Sequence, residues 1–399
     1  MKLDDLEKLE KKYVVPTYNR IPVSFVKGNG VYVYDSKGNK YLDFFAGIAV
    51  NSLGYNNPFI QEALVKQSSK IWHTSNLYYI EPQILLAEKL SQLSNKGKVF
   101  FANSGAEANE AAIKLARLYG KNIDKKKTKI LSLENSFHGR TLATITATGQ
   151  KKYQKGFEPL PSGFQYVKTN NVQDLKKKMS HETAAIFLEF LQGEGGINLL
   201  DAEFVNTIVN LAKKYKILII ADEVQSGLCR TGKWFAFKHF KIIPDIVTSA
   251  KALGNGFPIG AMIAKKEISQ LFSFGTHAST FGGNFLATAV ANAVIDYMKT
   301  HKMENHVATM GRYFIKKLNN LKKQFPNIIL DIKGKGLMLG LQITPKIPVG
   351  KIIEKAREKG LLIGPAGNNV LRFLPPLIIE ESHIDKAINL LSAILTENN

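Results

Sequence analysis

The stretch DIVTSAKALGNGFPIGAMIA, residues 245–264, sets two short apolar runs on either side of a glycine-containing turn that opens with a lysine. DIVTSA (245–250) and IGAMIA (259–264) have the length and composition of buried strands. Lys251 follows the first run and has no polar neighbour nearer than Ser249, so the ammonium must be explained by what it faces in space. Upstream, KILIIAD (216–222) is a run of the same kind that ends in an acid, Asp222. KVFFA (98–102), KILSLE (129–134) and AAIFLE (184–189) complete the series, and helical patterns intervene, notably Glu107 to Leu118 and Glu203 to Tyr215. Strands separated by helices predict an α/β fold with a mostly parallel sheet covered on both faces. In such a sheet ligands lie beyond the carboxyl ends of the strands. Asp222 and Lys251 are therefore expected to project into one crevice.

The flanks read differently. VYVYDSKGNKYLDFF (31–45) is predicted to be a hairpin around a glycine-containing turn. From about Leu286 the chain is helix-rich, with shorter strands such as LMLGLQI (337–343) and VLRFL (370–374). The expectation is a large domain over 56–290 and a smaller α+β domain built from both chain ends, 1–55 and 291–399. Hydrophobic residues at 45% and charged residues at 22% exclude wholesale disorder. The single cysteine, Cys229, excludes an intrachain disulfide and fits a reducing compartment. MKLDDLEKLEKKY at the start has no apolar signal region, and no apolar run approaches the ~20 residues of a membrane span. A cytoplasmic protein with no membrane partner is expected.

The net charge of +21 raises the question of polyanion binding. Its densest runs, KNIDKKKTK (121–129) and DLKKKM (174–179), include acids and lack interleaved aromatic residues, so they read as solvated faces and no nucleic-acid partner is expected. The eight histidines show no ligand spacing, and no metal is expected. GKGLMLG (334–340) has the wrong spacing for a dinucleotide loop.

Four short motifs carry chemistry. Lys251 is either a salt-bridged lysine or a desolvated, nucleophilic amine, and Asp222 either a helix cap or that amine's companion. Ser104-Gly105-Ala106-Glu107 has the S-x-x-E spacing of a capping box, and its small residues would let an anion approach the helix N-terminus. STFGGN (279–284) is a second candidate anion loop. SFHGRT (136–141) adds Phe137, which is a stacking face if it is not core, and Arg140, a carboxylate clamp if it is not a surface ion pair. An amine, an acid, a phosphate cradle, a flat face and a carboxylate clamp together fit pyridoxal 5′-phosphate.

At this point the sequence resembles the class III, fold-type I aminotransferases over almost its whole length, from PTYNRIPV (16–23) to LRFLPPL (371–377). The blocks that carry the resemblance are DFFAGIAVNSLG, WHTSNLYYIEPQ, FANSGAEANEAAIKLAR, FHGRT, QGEGGI, ADEVQSGLCRTG, AKALGNGFPIGAM and GTHASTFGGN, in that order. The resemblance implies a seven-stranded-type sheet and a homodimer with shared active sites. It makes Lys251 the Schiff-base lysine and Asp222 the partner of the pyridine nitrogen. Ser104, Gly105 and Ala106 would bind the phosphate, joined by Thr280 from the other subunit. Phe137 would stack on one ring face with His138 beside it, Val224 would pack on the other, and Gln225 would neighbour the ring hydroxyl. Arg140 would grip the substrate α-carboxylate with Tyr18 and Ser279 nearby, and Glu194 and Arg372 would form a switchable pair at the distal end of the pocket.

The implied reaction is two half-transaminations, with N-acetylornithine as donor and 2-oxoglutarate as acceptor, as in arginine biosynthesis. Ile48 stands where enzymes acting on free ornithine usually carry a tyrosine. Succinyldiaminopimelate, ornithine and 4-aminobutyrate transaminases share the motifs, and a basic binding protein without activity is the reading from another class. Phe190, Asn255, Ala278 and Phe285 replace residues usual in the family, as does LGYNNP (53–58).

Overall fold

The computed structural model describes residues 1–397. After a helix at Leu3–Tyr13 come three strands, β1 (Phe25–Asn29), β2 (Tyr32–Asp35) and β3 (Lys40–Asp43), each antiparallel to the next. The hairpin expected over 31–45 is β2–β3, and β1 adds a third strand on its far side.

The central sheet is made of β4 (Lys98–Ala102), β5 (Lys129–Leu133), β6 (Phe164–Val167), β7 (Thr183–Leu188), β10 (Leu218–Asp222), β11 (Ile246–Ser249) and β12 (Gly260–Ala264). A two-residue pair, β8 (Leu191–Gln192) and β9 (Asn198–Leu199), interrupts the series. The seven strands run in the order β4-β12-β11-β10-β7-β5-β6. Only β12 is reversed, antiparallel to both neighbours. The short link from Lys251 to Ile259 explains that reversal, because a parallel return would need a crossover of a dozen residues or more. All six apolar runs singled out in the sequence are strands of this sheet. Only β6, an edge strand with one fully buried residue, escaped notice. Every residue of β7, β10, β11 and β12 is buried, as expected for strands covered on both faces. The Gly105–Ile123 and Ala202–Tyr215 helices contain the two helical patterns read from the sequence.

A third sheet takes β13 (Ile329–Lys335), β14 (Met338–Ile343), β16 (Gly364–Ala366) and β17 (Val370–Phe373), ordered β13-β14-β17-β16. Between them β15 (Leu361–Leu362) leaves this group and pairs in parallel with β3, Leu361 opposite Leu42. The two ends of the chain thus share a sheet. Buried Arg230 locks the junction, donating to the Leu337 and Pro375 carbonyls and to Ser52 Oγ. Loss of hydration pushes its pKa down to about 9.

After β3 the backbone does something the sequence did not reveal. Ala46, Gly47, Ile48 and Ala49 all have positive φ, from 49 to 65°, which makes a left-handed turn. Such geometry costs roughly 1–2 kcal/mol for each non-glycine residue. Asp43 holds the turn: its Oδ1 accepts the Phe45 and Ala46 N–H groups at 2.8 and 2.9 Å, and its Oδ2 accepts the Tyr55 hydroxyl at 2.6 Å. Tyr55 belongs to the departure LGYNNP. Among the described residues no helix is long and apolar enough to cross a membrane.

Candidate active site

Asp222 is the last residue of β10 and Lys251 lies two residues beyond β11, so the parallel pairing of those strands brings both to one edge of the sheet. No helix follows Asp222, which removes the cap reading. Its carboxylate is buried and held from three sides. Oδ1 accepts the Val224 N–H at 3.0 Å, while Oδ2 accepts from Asn109 Nδ2 at 2.9 Å and pairs with His138 Nδ1 at 2.7 Å. The His138 ring stacks on Phe187, with centroids 4.0 Å apart and planes within 9°.

Lys251 has φ +48°, a left-handed conformation uncommon outside glycine. Although the residue keeps some surface, packing strips water from its amine and pushes the pKa down to about 8. Loss of hydration dominates; the charges that then act on it are Glu194, Arg372, Asp222 and Glu189. The lysine therefore shares one electrostatic environment with four of the charged groups beyond the strand ends.

The phosphate-type cradle is present in altered form. Ser104 caps the Gly105–Ile123 helix, its Oγ accepting the Glu107 N–H at 3.2 Å. The reciprocal half of the expected capping box is missing. Glu107 Oε2 reaches past Ser104 to the Asn103 N–H at 2.6 Å and the Asn103 side chain at 3.0 Å. The longer reach is favoured because Asn103 offers the carboxylate two donors instead of one. Among the described residues nothing accepts from the Ser104, Gly105 and Ala106 N–H groups. Gly105 is required by its neighbour, since a Cβ there would lie 2.8 Å from Val224 Cγ1.

Phe137 and Arg140 stay together. The guanidinium of Arg140 lies 5.6 Å from the Phe137 ring and 4.1 Å from the ring of Tyr153, a residue not singled out from the sequence. Arg372 meets Glu194 as expected: Nη1 to Oε1 is 2.6 Å, with a second contact to Gln225 Oε1 at 3.3 Å and the Phe45 ring 5.4 Å away. A cavity of about 570 Å³ lies beside this pair, with Tyr153, Glu194 and Ala366 in its wall. A larger cleft of about 980 Å³ around His239 and Lys241 shares no residue with the site. Ser279 Oγ accepts from Asn103 Nδ2 at 3.3 Å and from the Gly282 N–H at 3.0 Å, which seats its loop beside the helix start. Thr280 points outward, exposed. Tyr18 is not drawn in: it is 71% exposed on the N-terminal segment, with Arg20 5.3 Å from its ring.

The family model of class-III aminotransferases matches residues 13–395. The chain belongs to the class III aminotransferases. It is 48% identical over 390 residues to the acetylornithine aminotransferase of Methanocaldococcus jannaschii, covering 98% of this chain and 97% of that one. It is 50% identical over 389 residues to that of Caldanaerobacter subterraneus subsp. tengcongensis, covering 97% and 98%. Among solved structures, the ornithine aminotransferase of Toxoplasma gondii with PLP in partial occupancy at its active site superposes with a TM-score of 0.94 at 29% identity, covering 99% and 94%.

The departures of this aminotransferase from the usual family pattern have local explanations. Asn255 adopts φ +43°, which asparagine tolerates, and its side chain clasps residues two hundred positions away. Oδ1 accepts the Leu53 N–H at 2.6 Å and Nδ2 donates to the Gly54 carbonyl at 3.2 Å, so the Lys251 turn is tied to the segment after the left-handed turn. Phe190 is wholly buried, 5.3 Å from the Phe240 ring. Phe285 opens a helix whose cap, Asn284, accepts the Ala287 N–H. Ala278 is exposed.

Two buried polar residues of this site were not anticipated. Glu189 accepts the Phe137 N–H at 2.9 Å and the Gly193 N–H at 3.2 Å, joining the two loops that carry Phe137 and Glu194. Burial pushes its carboxyl up to about 7. Asn109 is the other. Its signal was a lone amide on an alanine-rich face, one helical turn after Gly105.

Proposed function

We propose that this class III aminotransferase uses pyridoxal 5′-phosphate to transfer the amino group of N-acetylornithine to 2-oxoglutarate, giving N-acetylglutamate 5-semialdehyde and glutamate. The observation that carries the chemistry is a desolvated lysine sharing its environment with a buried, triply held aspartate. The substrate reading rests on relatives named for acetylornithine that align over nearly the whole chain.

The residues present fit the cofactor. Three free amides at Ser104, Gly105 and Ala106, at a helix N-terminus, suit a phosphate. Oδ1 of Asp222 holds only one protein donor and retains acceptor capacity for a protonated ring nitrogen. When bound, the cofactor supplies an electron sink for charge developing on the substrate carbon. Lys251 would hold the cofactor, and its amine, with its lowered pKa, would serve as the base for the proton on the substrate carbon. Asp222 would keep the ring nitrogen protonated, with His138 orienting its carboxylate, and Phe137, Val224 and Gln225 would help hold the ring. Arg140 grips the α-carboxylate, with Ser279 nearby, whereas Tyr18 stays outside the site.

Arg372 works in two states. Paired with Glu194 it presents no net charge to the donor; with Glu194 withdrawn it takes the second carboxylate of 2-oxoglutarate. Ile48 offers no hydrogen bond to a free α-ammonium, and an acetyl group removes that charge. Residues 1–55 and 291–399, of which the last two lie outside the described residues, are assigned to the smaller domain, in keeping with the β3–β15 pairing. The site is shared in a homodimer, with Thr280 reaching the partner subunit's phosphate.

The test mixes the purified protein with each candidate amine and follows conversion of the cofactor spectrum. N-acetylornithine should convert it with the highest specificity constant. A better response to ornithine, 4-aminobutyrate or succinyldiaminopimelate would replace the donor assignment.

A further inference from the structure

Asn109 lies in the Gly105–Ile123 helix and is 1% exposed, among Ala108, Ala111, Ala112 and Ile113, all buried. A single amide on such a face needs partners, and Asn109 has two. Both hydrogens of Nδ2 are used, one on Asp222 Oδ2 at 2.9 Å and one on the His138 carbonyl at 2.7 Å. Oδ1 is buried without a partner. That fixes which way the amide points: flipped, its oxygen would face two acceptors, a carboxylate and a carbonyl. The residue is held here for its two donors. They close a ring of contacts, because His138 Nδ1 also binds the same Asp222 oxygen.

The position of Asn109 on its helix gives the contact a further meaning. It follows Gly105 by four residues, so the two lie on one helix face about 6 Å apart along the axis. Gly105 belongs to the free-amide cradle, and Asn109 grips the carboxylate. By way of the sheet the same two ends are far less directly linked, since β4, which leads into the cradle, is three strands from β10, which carries Asp222.

We infer that Asn109 is a positioning residue, through which one turn of the Gly105–Ile123 helix sets the spacing between the phosphate cradle and the Asp222 carboxylate. This rests on the reading of the site given above. Asn109 touches no substrate; it acts by stopping rotation of the Asp222 carboxylate, with the Val224 N–H on the opposite oxygen completing the brace.

Asn109→Ala removes both bonds while installing the best helix former. The apo-protein should fold, as read by circular dichroism, and bind pyridoxal 5′-phosphate about tenfold more weakly or worse, as read by fluorescence titration. The pH midpoint of the bound chromophore should move by about half a unit or more. The kcat should fall about tenfold with the donor KM held within about threefold. Asn109→Asp keeps the size but sets a second carboxylate against Asp222, and should move the chromophore midpoint upward by adding negative charge. Asn109→Ser, which keeps one donor, serves the same test if the alanine variant does not fold, with smaller shifts in the same readouts. Wild-type cofactor affinity and an unmoved midpoint in folded variants would show that Asn109 merely packs. Asp222→Asn run in parallel separates the two levels. If it too leaves the spectrum unchanged, the reading of the site is wrong; if it shifts the spectrum while the Asn109 variants do not, only the inference about Asn109 fails.

Discussion

At about pH 9 an exposed lysine remains almost fully protonated, whereas Lys251, pushed down to about 8 from 10.5, has mostly lost its proton. Reductive methylation of the apo-protein, resolved by mass spectrometry, should therefore label Lys251 with a midpoint near pH 8. A Lys251 midpoint near 10.5 would mean that its amine is hydrated. The same shift has a stability sign. Between about 8 and 10.5 the unfolded chain binds the proton and the folded chain does not, so this residue makes stability rise with pH across that window. Arg372 permits a second prediction. Arg372→Ala should slow the 2-oxoglutarate half-reaction by about tenfold or more, and more than the donor half-reaction, in stopped-flow traces. Equal losses in both halves would remove the switching role. Lys251 and Asp222 were legible in the sequence because strand ends converge in an open sheet. Asn109 and Glu189 were not, because each depends on a partner far along the chain, Asp222 at 113 residues and Phe137 at 52.

Short elements decide how the Lys251 turn sits. Asn255 joins it to Leu53 and Gly54, next to a left-handed turn that Asp43 caps. Asn255→Gly keeps the backbone freedom needed at φ +43° and removes both bonds, and should destabilise the protein by about 1–3 kcal/mol with the cofactor still attached. Asn255→Ala also loses the tolerance for positive φ and should be less stable still. Urea midpoints measure the order; a glycine variant as stable as the wild type would show that the clasp contributes nothing. Nothing in AGIA (46–49) announces the left-handed turn, because such geometry leaves no mark on composition. It is imposed by the Asp43 carboxylate and by the pairing of β3 with β15 on one side. The capping motif failed halfway for a similar reason: spacing put Glu107 opposite Ser104, and the two donors of Asn103 won it.

Over the whole molecule, the exposed apolar surface is uneven. Leu77, Tyr78 and Tyr79 are 88, 70 and 94% exposed, and Phe281, beside Thr280, is 60% exposed. Asn76 holds these loops together through the Ser279 and Gly282 carbonyls, each at 3.0 Å, and the His73 and Phe281 rings are 5.3 Å apart. A surface of this kind around Thr280 suits a partner of the same chain. Sedimentation should therefore give a dimer, and Thr280→Ala should weaken cofactor retention. Mixing Lys251→Ala subunits with inactive Thr280-loop variants should restore part of the activity, because one site per heterodimer is then intact. A stable monomer with full activity would exclude shared sites.

Six of the seven strands of the central sheet, the hairpin near the start, the acid and amine at the strand ends and the order of motifs along the chain were determined by the sequence alone. Each is written in local periodicity, or in residue types at short spacing, and survives without knowledge of distant neighbours. The tertiary structure decided the reversal of β12 among the parallel strands, the left-handed turn, the Asn255 clasp and the braces that Asn109, His138 and Glu189 supply. Those depend on which buried donors and acceptors meet. A buried polar group must find its partner wherever the fold brings one, and that pairing is settled in space between residues the chain keeps far apart.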